Sequence, residues 1–282
     1  MTHWKDIKKI DAHIHLLPEE VHQANPDSDD EFSYAVQGRH IDLMDRYNIE
    51  KSILMTFNDP YLMSIDFTLD AVHKNIIGMC EKYPGRYYAF ADLDPGISPE
   101  ENCSKLNELF PNEWFKGIKI HPNNTGINID DEYNDPIFDL AEELGVPIAI
   151  HSYPSSDKKH DPADFCSPKR ISNIMNRHRN VKVVICHMGG FQWEDCLDMD
   201  AYFDLSCILP DYVKEYGTEQ TRKLLHRFDM DRIFFATDWP CSRSLDPGEI
   251  YERYFDLLDD LRLSECEINK IAIQNIKDFL GL

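Results

Sequence analysis

Basic residues are scarce in this chain of 282 residues: 29 Lys and Arg stand against 51 Asp and Glu, a net charge of −22. Nucleic acids and anionic membranes are gripped by Lys/Arg patches, so neither is an expected partner. No apolar run approaches the roughly 20 residues of a membrane span, and no low-complexity tract or internal repeat stands out. The eight cysteines include no C-x-x-C pair, and no small disulfide framework is implied at this length. With no signal-peptide pattern, the expectation is reduced thiols in a cytoplasm. No glycine-rich phosphate fingerprint follows the first strand, which speaks against a doubly wound nucleotide-binding sheet.

What the chain does have is core material. At 42% hydrophobic and 28% charged residues it has enough for one large barrel or two ordinary domains. Strand and helix patterns alternate along it. A first strand ends at 11–15, and further strand signals cover 51–57, 86–93, 115–121, 146–151, 181–187, 201–206 and 232–237. Helical spacing marks 36–47, 65–83, 135–144, 219–228, 247–261 and 264–280, and Ser-Pro starts open two more helices at Ser98-Pro99 and Ser167-Pro168. The strands are Val/Ile-rich apolar runs, as expected when both faces of a sheet are covered. Eight such strands separated by helices predict a single-domain (β/α)8 TIM barrel over residues 1–282, with an extra C-terminal helix. Two polar stretches, 19–33 and 153–167, are expected to be loops shaping a pocket.

The placement of histidine carries the functional argument. In Asp11-Ala12-His13-Ile14-His15 the two histidines project from one face of a strand end. His121, His151 and His187 close the fourth, fifth and sixth strands, and Asp238 closes the eighth. A barrel gathers all strand C-termini at one mouth, where active sites assemble. Polar residues ending apolar strands suit such a mouth and not a core. Asp238 could instead cap a helix after strand eight, and His187 could simply pack beside Gly189-Gly190.

These stretches carry a resemblance. DAHIH (11–15), GIKIHP (117–122), PIAIHS (147–152), VICHMGG (184–190), ATDWP (236–240) and Gln274-Asn275 together resemble the amidohydrolase superfamily. The likeness is to its amidohydrolase-related branch, which includes aminocarboxymuconate-semialdehyde decarboxylase. The resemblance implies a metal held by His13, His15, His151 and Asp238. Three imidazoles and a carboxylate suit zinc first, or manganese or iron, with a position left for water. It also implies His187 as a non-ligand histidine for general acid/base work, with Asp238 taking a proton from the metal-bound water.

Lys119 and His121 share the inward face of strand four. Lys119 is read as pairing with the carboxylate of an acidic substrate. Two alternatives stay open: a carboxylated lysine bridging two metals, or a lysine held by Asp11 or Asp92. His121 is placed beside the substrate, Arg243 is a candidate carboxylate clamp on a mouth loop, and Asp11 is an orienting group or a strand-end acceptor. The expected activity is metal-dependent hydrolysis of an amide, lactone or ester of a small acidic molecule. The alternative is non-oxidative, metal-dependent decarboxylation or hydration of a carboxylic acid. The expected partner is a small-molecule substrate, and a homodimer is left open.

Overall fold

The strand signals of the sequence become eight parallel strands in one sheet of the computed structural model, in the order β1 to β8. They are Lys9–Ile14 (β1), Ile49–Met55 (β2), Tyr87–Ala91 (β3), Phe115–Ile120 (β4), Ile148–Ile150 (β5), Val183–Ile185 (β6), Tyr202–Asp204 (β7) and Ile233–Phe234 (β8). Beyond β8, Trp239 bridges in parallel to Ile14 of β1. The fold is the predicted (β/α)8 barrel. The structure describes residues 3–17, 34–35, 37–56, 68–154 and 164–282. Most of the two predicted pocket loops, together with Phe57, His22 and His160, lie outside these residues.

The main helices are Gln37–Arg46 (α1), Leu69–Lys82 (α2), Pro99–Leu109 (α3), Asp135–Leu144 (α4), Pro168–Arg177 (α5), Ile208–Tyr216 (α6), Thr218–Leu225 (α7), Ile250–Asp260 (α8), Glu265–Asn269 (α9) and Asn275–Leu280 (α10). Their ends follow local chemistry. Ser98 caps α3 by accepting from Glu101 N, Glu101 reaches back to complete a capping box, and Pro99 occupies the first turn. Gly145 ends α4 in the left-handed conformation. Among the described residues no helix is long and apolar enough to cross a membrane, and all eight cysteines are free of disulfides.

Two departures from the sequence reading have physical causes. Helix α6 lies where the sequence reading has no helix, between the strand at 201–206 and the helix at 219–228, and it contains Pro210. Pro210 is the third residue of the helix, where the missing N–H would have had no intrahelical acceptor. The predicted continuous helix over 264–280 is instead two helices joined by a wider turn at Lys270–Gln274. That turn leaves the Ile271 carbonyl to accept from Phe235 N at 2.9 Å. Asn275, one turn on, donates to Met230 O and Ile233 O at 2.8 Å each. The C-terminal helices thereby fix both ends of β8.

The described residues form two compact units. One comprises residues 1–54, 75–88 and 204–282, and the other residues 55–74 and 89–203. In the first, β1 pairs with β2 from Lys9↔Ile49 to Ile14↔Leu54. In the second, β4 pairs with β5 and β5 with β6 through Ile118↔Ile148↔Val183 and Ile120↔Ile150↔Ile185. Gly117 of β4 is required here: a Cβ would lie 2.3 Å from the Phe90 ring.

Candidate metal centre

Every residue of β1 is buried, and alternation along it puts His13 and His15 on one face. The strand is tied to the segment after β8: Ala12 N donates to Phe235 O at 2.9 Å, Asp238 N to His13 O at 2.9 Å, and His15 N to Trp239 O at 2.7 Å. These bonds hold Asp238 at φ 69°, a left-handed conformation that is sparsely populated for a residue with a Cβ. The Asp238 side chain then meets both imidazoles. His13 Nε2 is 3.0 Å and His15 Nε2 3.1 Å from Asp238 Oδ1. The next helix starts only at Ile250, so Asp238 is not its cap.

Behind His13, Nδ1 lies 2.9 Å from Asp204 Oδ2 and 3.1 Å from Ser206 Oγ. Asp204 also accepts from Ser206 N at 3.2 Å and from the Ser206 hydroxyl. A carboxylate only accepts, so Nδ1–H donates to Asp204, which leaves Nε2 as the His13 nitrogen that would bind a cation beside Asp238. Carboxylates holding the far nitrogen in this way are a regular feature of metal-binding histidines.

This donor set fits a divalent cation. Two imidazole nitrogens and a carboxylate oxygen lie within 4.8 Å of one another, all on buried residues. Donors each about 2.1 Å from one ion stand roughly 3 to 4 Å apart, and the two contacts at Asp238 Oδ1 fall at the near end of that span.

Asp11 ties the ends of β1 and β8 together. Its carboxylate accepts from Thr237 N at 3.1 Å, Thr237 Oγ1 at 2.6 Å, Tyr251 Oη at 3.0 Å and His13 N at 3.3 Å. Complete burial pushes its pKa up to about 7 against those stabilising bonds. Of the two roles expected for Asp11, the strand-end acceptor is the one seen directly.

The other unit holds a histidine cluster of its own. His151 N donates to Ile120 O at 3.0 Å, which brings His121 and His151 into ring stacking at 3.8 Å. His187 Nε2 and His151 Nδ1 share a hydrogen bond at 3.0 Å. His187 and Met188 adopt φ 57° and 53°, and Gly189 and Gly190 follow at 76° and 58°. A Cβ on Gly189 would lie 2.5 Å from Cys196 Sγ, and one on Gly190 2.7 Å from Pro154 O. The Gly-Gly pair therefore permits the sharp turn that carries His187.

Lys119, fully buried, donates to Cys186 Sγ at 3.3 Å. Burial pushes the pKa of nearby Asp92 up to about 8, opposed by the Leu93 N–H and the Lys119 charge. Asp92 is thus one acid that feels the charge of Lys119. Arg243 is exposed on the stretch between β8 and α8.

Of the four ligands read from the sequence, the structure brings together His13, His15 and Asp238, and places His151 with His121 and His187 in the second unit. Sequence reasoning missed Asp204, Ser206 and Tyr251. A signal existed for Asp204: it ends an otherwise apolar strand, the pattern that singled out the histidines.

A parallel eight-stranded barrel with two imidazoles and a carboxylate gathered where β1 and β8 end is a barrel protein equipped for a divalent cation. The chain belongs to the amidohydrolase family, whose model, described as Amidohydrolase, matches residues 10–282. It is 26% identical over 133 residues to a 2-amino-3-carboxymuconate-6-semialdehyde decarboxylase of Dictyostelium discoideum, covering 42% of this chain. The match spans only 37% of that relative's length. Among solved structures it is similar to a 5-carboxyvanillate decarboxylase of Novosphingobium aromaticivorans, crystallised with manganese and 4-hydroxy-3-methoxy-5-nitrobenzoic acid. That likeness has a TM-score of 0.73 at 16% identity, covering 99% of this chain and 97% of the other. A 2,6-dihydroxybenzoate decarboxylase from Rhizobium is similar at a TM-score of 0.70 and 18% identity, covering 97% and 98%. At these identities the structural likeness establishes the fold.

Proposed function

We propose that this protein is a metal-dependent carboxy-lyase that removes CO2 from a small unsaturated or aromatic carboxylic acid. The observation that carries the reading is the convergence of His13 and His15 on Asp238, with His13 held from behind by Asp204. The hydrolase expected from the sequence becomes the second reading, because the named relatives are decarboxylases. One bound divalent cation would draw electron density from substrate oxygens as the carbon–carbon bond breaks.

In this reading His13, His15 and Asp238 hold the cation, and the family resemblance adds His151 to the set. The donor types suit manganese as well as zinc. His187, or Asp238 once protonated, delivers a proton to the carbon that CO2 leaves, since an imidazole titrates near neutrality. Lys119 and Arg243 offer positive charge to a carboxylate, and His121 a flat ring beside it. The chain acts as one barrel domain, with a small molecule as its partner, in the cytoplasm.

The test is a panel of carboxylated aromatic and unsaturated acids, with matching lactones and amides, given to protein loaded with Mn2+ or Zn2+. Metal-dependent CO2 release supports the lyase. Hydrolysis of the lactones or amides without CO2 release returns the first expectation.

A further inference from the structure

Helix α8 sends two tyrosines toward the candidate metal centre by separate routes. Tyr251 Oη donates to Asp11 Oδ2 at 3.0 Å, and Asp11 in turn accepts from His13 N and from both donors of Thr237, the neighbour of Asp238. Tyr254 Oη donates to Leu205 O at 3.1 Å, between Asp204 and Ser206, the two residues that hold His13 Nδ1. All of these residues except Leu205 carry buried polar groups, and none of the two tyrosines' hydroxyl contacts is local in sequence.

The first route runs on through Tyr251 to His40 and Tyr87. Where Asp11 is ionised it only accepts, so Tyr251 donates to it and accepts from the His40 ring, whose Nε2 is 2.8 Å away. His40 then carries its proton on Nε2, and Nδ1 accepts from Tyr87 Oη at 3.0 Å. Burial holds the His40 pKa down at about 3, so the ring stays neutral.

We propose that Tyr251 and Tyr254 are positioning residues for the metal ligands: α8 braces the main chain of β1 and β8 through Asp11, and the imidazole of His13 through the Asp204–Ser206 turn. The inference rests on the reading of His13, His15 and Asp238 as a cation site. Residues that orient the groups around ligands commonly alter metal affinity 10- to 100-fold. Tyr251 and Tyr254 act one step further out.

The experiment is titration of metal-free protein with Co2+, followed by its visible absorption, and with Mn2+, followed by calorimetry. Tyr251→Phe and Tyr254→Phe are compared with Tyr47→Phe. Tyr47 donates to Glu252 of the same helix at 3.0 Å; its ring packs on that of Tyr251 at 5.8 Å between centroids and is kept in Tyr47→Phe, while its hydroxyl joins neither route. Tyr251→Phe and Tyr254→Phe are each expected to weaken metal binding by about three- to tenfold and to shift the Co2+ band. Tyr47→Phe is expected to change neither. Wild-type binding with the same affinity and spectrum in all three variants overturns the inference and leaves the metal reading standing. Equal weakening in all three assigns the effect to general loosening of α8 and also overturns it. Wild-type protein that takes up neither cation overturns the metal reading itself, and this inference with it.

Discussion

His13 Nδ1 and Asp204 Oδ2 lie 2.9 Å apart, both on fully buried side chains. The pair joins the end of β1 to the end of β7, and it sets which His13 nitrogen can face a cation. Changing Asp204 to Asn keeps the shape but removes the carboxylate that anchors the Nδ1 proton. Divalent-metal affinity should fall about 10- to 100-fold with the apo-protein melting temperature nearly preserved. Unchanged affinity by calorimetry would contradict the role given to Asp204.

Metal loading should stabilise the fold, because the donor set joins β1 to the segment after β8. At free metal about 100-fold above Kd the gain is roughly 2.7 kcal/mol, a rise of a few degrees in Tm. In His13→Ala the rise should vanish. A variant that melts as the wild type does under the same metal would remove His13 from the site.

His187 is assigned proton delivery and not ligation. His187→Gln should leave metal stoichiometry intact and lower the rate of CO2 release about 10²- to 10⁴-fold. Loss of metal together with activity would move His187 into the ligand set.

Lys9 is buried, donates to Tyr47 O and lies 4.8 Å from the centre of the Phe255 ring. Burial lowers its pKa from 10.5 to about 7, with Asp6 and Asp11 opposing the shift. Between these values the unfolded chain holds the proton that the folded one has shed, so this group makes stability rise with pH from about 7 to 10.5. Lys9→Met should therefore raise Tm by several degrees at pH 7 and change it little near pH 10.5. An equal shift at both pH values would show that the charge of Lys9 is not the cause.

Gly190 combines φ 58° and ψ −140° with no room for a Cβ beside Pro154. Gly190→Ala should cost about 2 to 4 kcal/mol through backbone strain and the clash. It should also disturb the His187–His151 hydrogen bond. Thermal melting checks the first effect, and the pH profile of turnover checks the second. A loss below about 0.5 kcal/mol would mean that this turn relaxes freely.

Much of this architecture was legible because punctuation and periodicity coincided. Helix α4 has the predicted bounds, set by Asp135-Pro136 at one end and Gly145 at the other. Strands β5, β6 and β8 are shorter than their apolar runs, since those runs continue as buried main chain bonded to other partners. Phe235 N, for example, goes to Ile271 O. His13, His15 and Asp238 could be named because each ends an apolar strand. Asp204 obeyed the same rule and was passed over because no histidine marked its strand. The brace through Tyr251, His40 and Tyr87 links residues up to 211 positions apart, and no local pattern encodes such a contact.

The wide turn at Lys270–Gln274 has a temporal corollary. Strand β8, which leads into the segment carrying Asp238, is secured at its start by Asn275 and just past its end by the Ile271 carbonyl. A growing chain that has passed Asp238 but not yet delivered residues 271–275 from the ribosome lacks both fastenings. The groups that would hold the cation would therefore come together late in synthesis, after residues 271–275 have emerged.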